Sequence, residues 1–176
     1  MTLPAVPPIS LVDIATELRL GALGVFLTHD DCKRLLGLSV SHPGPISLSD
    51  FLGKTRPWWG LVPIQDVIGQ YYAWNQSDGG LAAAVDPYFA NNPITAIQSS
   101  NGTGNPHSTV NFASDPGWRN NIKAQLLDDN NTVVREVMLS YRTGGTSWQS
   151  ADRSAGDIST CLFVAAGIFR VNLIKQ

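Results

Sequence analysis

The hydrophobic pattern of this chain changes period once, at Arg56-Pro57-Trp58-Trp59-Gly60. Before that point apolar residues recur at helical spacing. After it they fall in short runs rich in β-branched and aromatic residues. A helical stripe and a sheet face each need a surface to bury against. The change therefore predicts an α+β chain, a short helical N-terminal module over residues 1–57 and a mostly antiparallel β-sandwich or barrel-like domain over residues 58–176. Composition is compatible with a packed core, since 43% of the 176 residues are hydrophobic and only 15% charged. Sixteen glycines and 11 prolines imply many turns.

The N-terminal module is organised by an internal repeat. Pro8-Ile9-Ser10-Leu11-Val12-Asp13 is echoed by Pro45-Ile46-Ser47-Leu48-Ser49-Asp50. Ser10 and Ser47 are placed to act as N-caps, and Asp13 and Asp50 stand three residues on, as in a capping box with a shorter acid. Ile9 and Ile46 precede the caps and can staple to Ile14 and Phe51. The first helix presents Leu11, Ile14, Ala15 and Leu18 on one face and stops at Gly21. A second start lies between the copies, with Thr28 as cap, Asp31 three residues later, apolar Cys32, Leu35 and Leu36, and Gly37 past the end. The third helix begins at Leu48 and ends at Gly53. Helices this short are marginal alone, so their shared stripe is expected to need a partner surface.

Beyond the boundary, strands are expected at Val67–Trp74, Thr109–Ala113, Ile122–Leu127, Thr132–Tyr141, Ile158–Val164 and Ile168–Ile174. Asp128-Asp129-Asn130-Asn131 has the composition of a hairpin turn. Residues 86–106, with Pro87, Asn91, Asn92, Pro93 and Asn101-Gly102, read as a loop. Exposed strand edges in such a sheet would be open to pairing with another chain.

The repeat also carries a resemblance. Ile9-Ser10-Leu11-x-Asp13-Ile14, a second capped helix, and then Ile46-Ser47-Leu48-Ser49-Asp50-Phe51 closing on Gly53-Lys54 resembles a segment common in tailed-phage virion proteins of the minor tail, baseplate or fibre-associated kind. The match lies in the first third of the chain. It departs from the usual form at Leu52, where an aromatic residue is expected. The resemblance implies a structural role in the particle, residence in the virion after synthesis in the host cytoplasm, other phage structural proteins as partners and a homo-oligomeric arrangement, with a host surface receptor as a further candidate partner. A receptor- or carbohydrate-binding module and a capsid decoration or head-fibre protein are the alternatives.

Little in the chain points to catalysis, and a non-enzymatic protein without a cofactor is expected. The three histidines are His29, His42 and His107. His29 stands three residues before Cys32, a spacing that two turns of helix explain without chemistry. His42 and His107 fall in Ser-His-Pro-Gly and Asn-Pro-His-Ser turns, and no G-x-S-x-G elbow accompanies any serine. Asp30-Asp31 suits a helix start, and Asp128-Asp129 suits a turn rather than a pair of acids facing across a sugar. The two cysteines, Cys32 and Cys161, are far apart in sequence with no C-x-x-C spacing, which argues against structural zinc or a disulfide framework. The formal charge is −2 without a basic run, so no nucleic-acid surface is indicated. No stretch suits a signal peptide or a membrane span, and the sequons at Asn75, Asn101 and Asn130 read as chance.

Aromatic residues are plentiful for this length: Trp58-Trp59, Tyr71-Tyr72, Trp74, Trp118 and Trp148. Neighbours on a strand point to opposite faces, so one member of each pair is expected outside the core. Trp58 and Trp59 are the candidate interface residues, since interfaces are enriched in tryptophan and tyrosine. Exposed aromatics also suit stacking on sugars.

Overall fold

The structure is a computed structural model. It describes residues 3, 5, 9–18, 27, 30–36, 43–52, 57–67, 71–76, 88–90, 92–101 and 104–176. The chain divides into two compact units, Met1–Pro57 and Trp58–Gln176.

The first unit contains helix α1 (Leu11–Leu18), helix α2 (Asp30–Leu35) and a 3-10 turn at Leu48–Phe51. Its core is local: Leu3, Ile14, Ala15, Leu18, Cys32, Leu35 and Phe51 are buried together. Of the cover that the helical stripe is expected to need, the three elements supply a share by packing on one another. Leu11 is the exception on the first stripe, at 41% exposed. The third helix proves to be 3-10, one short turn with its bonds from Asp50 N to Ser47 O and Leu52 N to Ser49 O. The second cap at Thr28 and the stops at Gly21, Gly37 and Gly53 lie outside the described residues.

The second unit is antiparallel throughout its strand pairings. Its strands are β1 (Trp58–Asp66), β2 (Tyr71–Asn75), β3 (Tyr88–Phe89), β4 (Asn92–Ser100), β5 (His107–Phe112), β6 (Ile122–Leu127), β7 (Val133–Tyr141), β8 (Ser147–Gln149) and β9 (Gly167–Lys175). They run in the order β2-β1-β9-β6-β7-β8-β5-β4, and β2 pairs again with β4, which closes an eight-stranded barrel. The two-residue β3 adds to the start of β4. Of the two architectures expected, the barrel is the one formed.

Alternation along the strands sorts side chains cleanly. Trp58, Val62 and Ile64 of β1 are buried, whereas Leu61 and Gln65 are exposed. Inside, Val171 and Leu173 of β9, Ile122 and Ala124 of β6, and Val137 and Leu139 of β7 meet Ile97, Val110 and Trp148 from the opposite wall. Eight strands leave an interior that side chains can fill, and here they fill it. The β6–β7 hairpin turns where its composition predicts. Asp128 Oδ1 accepts from the N–H groups of Asn130 and Thr132 at 2.9 and 2.8 Å, and Asn131 takes a left-handed φ of 60°.

Three expectations need correction. Residues 86–106 include β4, a central strand. Its Asn92-Pro93 start and Ser99-Ser100 end look like loop chemistry, and Pro93 is tolerated because it sits at the first turn of pairing with the two-residue β3. Ile158–Val164 is not a strand. It is a turn-rich loop whose buried Cys161, Leu162 and Phe163 enter the end of the barrel. β2 begins at Tyr71, so Val67 lies in the preceding bend.

Candidate functional site

The capping residues of the repeat are assembled as boxes. Ser10 N–H donates to Asp13 Oδ2 at 2.8 Å, and Ser10 Oγ accepts from Asp13 N at 3.2 Å while donating to Asp13 Oδ2 at 2.7 Å. These bonds from Ser10, the hydroxyl first, hold the Asp13 carboxyl below its ordinary range. In the second copy Ser47 N–H donates to Asp50 Oδ2 at 2.8 Å, and the Ser47 and Ser49 hydroxyls pair at 2.7 Å. Ile9 and Ile46 pack on the cluster that holds Ile14 and Phe51, as staples should. Asp31 lies in α2; its side chain, with Thr28, His29 and His42, is outside what the structure describes.

The two tryptophans at the boundary separate. Trp58 points into the barrel, 3% exposed, and belongs to its core. This corrects its place as an interface residue, since a core side chain cannot meet a partner without opening the fold. Trp59 lies on the outer face and is half-buried. Tyr72, Trp74, Trp118 and Trp148 all join or pack on the barrel core.

Both ends of the barrel are stopped. At one end Trp118 lies 4.5 Å from Trp148 and edge-on to Phe89 and Phe112 at 5.9 Å each. Trp148 Nε1 donates to Asn120 O at 2.8 Å, Lys175 covers the Trp118 ring at 5.0 Å, and Arg119 covers Tyr141 at 4.0 Å. At the other end the 158–164 loop forms a plug. Ser108 Oγ accepts from Leu162 N at 2.6 Å, and Ser99 Oγ accepts from Phe163 N at 3.0 Å. Ser150 Oγ donates to Thr160 O at 2.9 Å, and Arg135 Nη1 donates to Cys161 O at 2.8 Å. The Cys161 thiol donates to Ser100 O at 3.3 Å, and burial pushes its pKa up. A buried, protonated thiol is a packing group and a poor nucleophile. Beside the plug a depression of about 270 Å³ is lined by Leu126, Val134, Leu162, Phe163, Val164 and Phe169, among others.

His107 Nδ1 lies 2.6 Å from Asn105 O and 3.5 Å from Asp152 Oδ1. The short contact to a carbonyl makes Nδ1 the protonated nitrogen and ties the ring to its own turn. Ser108, next in sequence, spends its hydroxyl on Ser99 and Leu162. The arrangement holds a loop.

The outside of the β1-β9-β6-β7 wall carries a different arrangement. Trp59 stands opposite Asn172, Asn172 opposite Gln125, and Gln125 opposite Glu136. Gln125 Nε2 donates to Glu136 Oε2 at 2.7 Å, and Asn172 Nδ2 donates to Gln125 Oε1 at 3.1 Å. Sequence reading missed this row. Its members are far apart in the chain and none is unusual alone; only the register of four strands lines them up. No protein-family model, curated protein or solved structure matches the chain.

Proposed function

We propose that this chain is a non-catalytic structural component of a tailed-phage particle, positioned in the tail at the tip, baseplate or fibre attachment, where repeated copies act in assembly or host attachment. The observation that supports this reading is the duplicated Ile-Ser-Leu-x-Asp element at residues 9–13 and 46–50, which resembles tailed-phage virion proteins. The barrel suits the same reading. Its interior is occupied by side chains and both ends are stopped, so what it offers to other molecules is its outer surface. That surface includes exposed apolar residues near the plugged end, Val134 at 58%, Val164 at 41% and Ile168 at 74%, of the kind that assembly covers.

Antibodies against the recombinant chain, used with gold-labelled electron microscopy on particles from the source that encodes it, test the proposal. The expected result is label at the tail, with the chain recovered in mass spectra of purified tails. Particles that lack the chain, or label confined to the head, would sink the tail assignment.

A further inference from the structure

We infer that the depression beside the plug is a binding site for a short aliphatic monocarboxylate, with Arg135 holding the carboxylate and Leu126, Val134, Phe163, Val164 and Phe169 holding the hydrocarbon chain. This site goes beyond the function proposed above and does not depend on where the chain acts.

Arg135 lines the depression with a guanidinium that is only partly spent. An arginine carries five N–H groups. The two on Nη1 face the plug, with Cys161 O at 2.8 Å and Ile158 O at 3.4 Å. Among the described residues nothing accepts from Nε or Nη2. The bonds through Nη1 fix the plane of the group. Nε and Nη2 together form the edge that a carboxylate meets with two parallel hydrogen bonds. Every other side chain lining the depression is hydrocarbon: leucine, valine, alanine or phenylalanine. The Phe163 and Phe169 rings stand 5.4 Å apart on its wall. Val134 and Val164 are exposed, and a chain laid against them would take apolar surface out of water. At about 270 Å³ the space falls just below the size of most small-molecule pockets, roughly 300–1,000 Å³, which suits a short chain.

The field around the depression does not select an anion. Arg170 donates to Asn131 Oδ1 at 2.9 Å, in a turn that also carries Asp128 and Asp129. Asp157, just before the plug, accepts from Ser159 N at 3.0 Å and pairs with Arg153 at 4.0 Å. These charges largely offset one another, so selection falls to direct contact with Arg135. A carboxylate is flat and matches the open edge of the guanidinium. A phosphate monoester brings more oxygens than that edge can satisfy, against walls that offer no other side-chain donor. An alcohol of the same length leaves the charge and one of the two donors unmet. The end of a polypeptide would bring an amide N–H and C=O next to its carboxylate. The lining side chains offer those groups no partner, and burying them unpaired is costly. A chain that is hydrocarbon up to its carboxylate avoids that cost.

The test is titration of the full, isotope-labelled chain with sodium octanoate, followed by amide shifts in nuclear magnetic resonance spectra. Saturable shifts centred on Leu126, Val164 and Phe169 are the expected result. Octanol, octyl phosphate and an acetylated Gly-Ser-Ala-Leu peptide with a free carboxylate should each bind at least tenfold more weakly. Arg135→Lys keeps the charge and loses the two-donor edge, and it should weaken octanoate binding at least tenfold. That change also touches the plug, so Val164→Asp serves as an independent variant. It sets a carboxylate at the exposed mouth and should cause a loss of the same size, with melting temperature and barrel amide positions unchanged. Ser140→Ala on the outer wall should bind octanoate as the parent does. Scattered or non-saturating shifts, or equal or tighter binding by octanol, octyl phosphate or the peptide, would overturn the inference. So would parent-like octanoate binding by either Arg135→Lys or Val164→Asp.

Discussion

Ser99 Oγ and Ser108 Oγ lie 2.8 Å apart, both fully buried, and together they accept the N–H groups of Phe163 and Leu162. The bland identity of these residues hides their position. Each replaces a strand-to-strand bond that a loop entering a barrel cannot make, because buried backbone N–H groups must find acceptors somewhere. Ser108→Ala removes one acceptor and leaves Leu162 N–H buried without it. The expected loss is about 1–3 kcal/mol of barrel stability, read by urea denaturation; a variant as stable as the parent would mean that the loop is held by packing alone. The exposed Ser10–Asp13 box makes a different prediction. Hydrogen bonds from Ser10 lower the Asp13 pKa in the folded chain. A depressed carboxylate stabilises the fold above its unfolded pKa of about 3.9, and the contribution is lost as pH falls through the lower folded value. Helical signal from the first unit should therefore weaken below about pH 4, and Ser10→Ala should weaken it at neutral pH by about 0.5–2 kcal/mol. Helix content indifferent to both changes would remove the box from the account.

The same physics decides which elements the sequence reveals. The β6–β7 hairpin is legible because Asp128 to Asn131 can only turn and the flanking runs alternate; strand ends at Ile122 and Leu127 emerge as read. β4 is hidden because the residues that serve it best, Ser99 as an acceptor for the plug and Pro93 at the margin of a two-residue strand, are the ones that signal loops. The apolar run at residues 158–164 misleads for the opposite reason. Full burial erases periodicity, and a short apolar run reads as a strand whether it joins a sheet or fills its end. The carbonyls of that plug face Arg135, whose guanidinium reaches Cys161 O at 2.8 Å and Ile158 O at 3.4 Å. Arg135→Met keeps the apolar stem and removes the donors. Amide exchange at Cys161–Phe163 should then accelerate at least tenfold while exchange within β6 and β9 stays as it was. Equal acceleration throughout would show that Arg135 stabilises the barrel as a whole and not the plug.

At the scale of the whole molecule, closure changes the argument for assembly. Open strand edges are one reason to expect partners, and β2 returning to β4 leaves, among the described residues, only the two-residue β3 at an edge. The need of the helices for outside cover is another, and their own cluster of Ile14, Leu18, Cys32, Leu35 and Phe51 answers it in part. What remains in favour of repeated copies is the exposed apolar surface near the plug and the resemblance of the repeat. Closure also bears on independence. The barrel unit begins at Trp58, whose indole is buried in the barrel core, so the chain cannot be cut later than this without opening a cavity there. A fragment spanning Trp58–Gln176 retains every strand among the described residues and both end stoppers. It should keep strand-type far-ultraviolet circular dichroism and the near-ultraviolet signal of the packed Trp118–Trp148 pair, and it should melt cooperatively. Trp58→Ala in the same fragment should cost about 3–5 kcal/mol, the range for truncating a large buried aromatic. A Trp58–Gln176 fragment that yields strand signal without near-ultraviolet bands would be a collapsed barrel without fixed packing. That result would mean that residues before Trp58 are needed to set the barrel core.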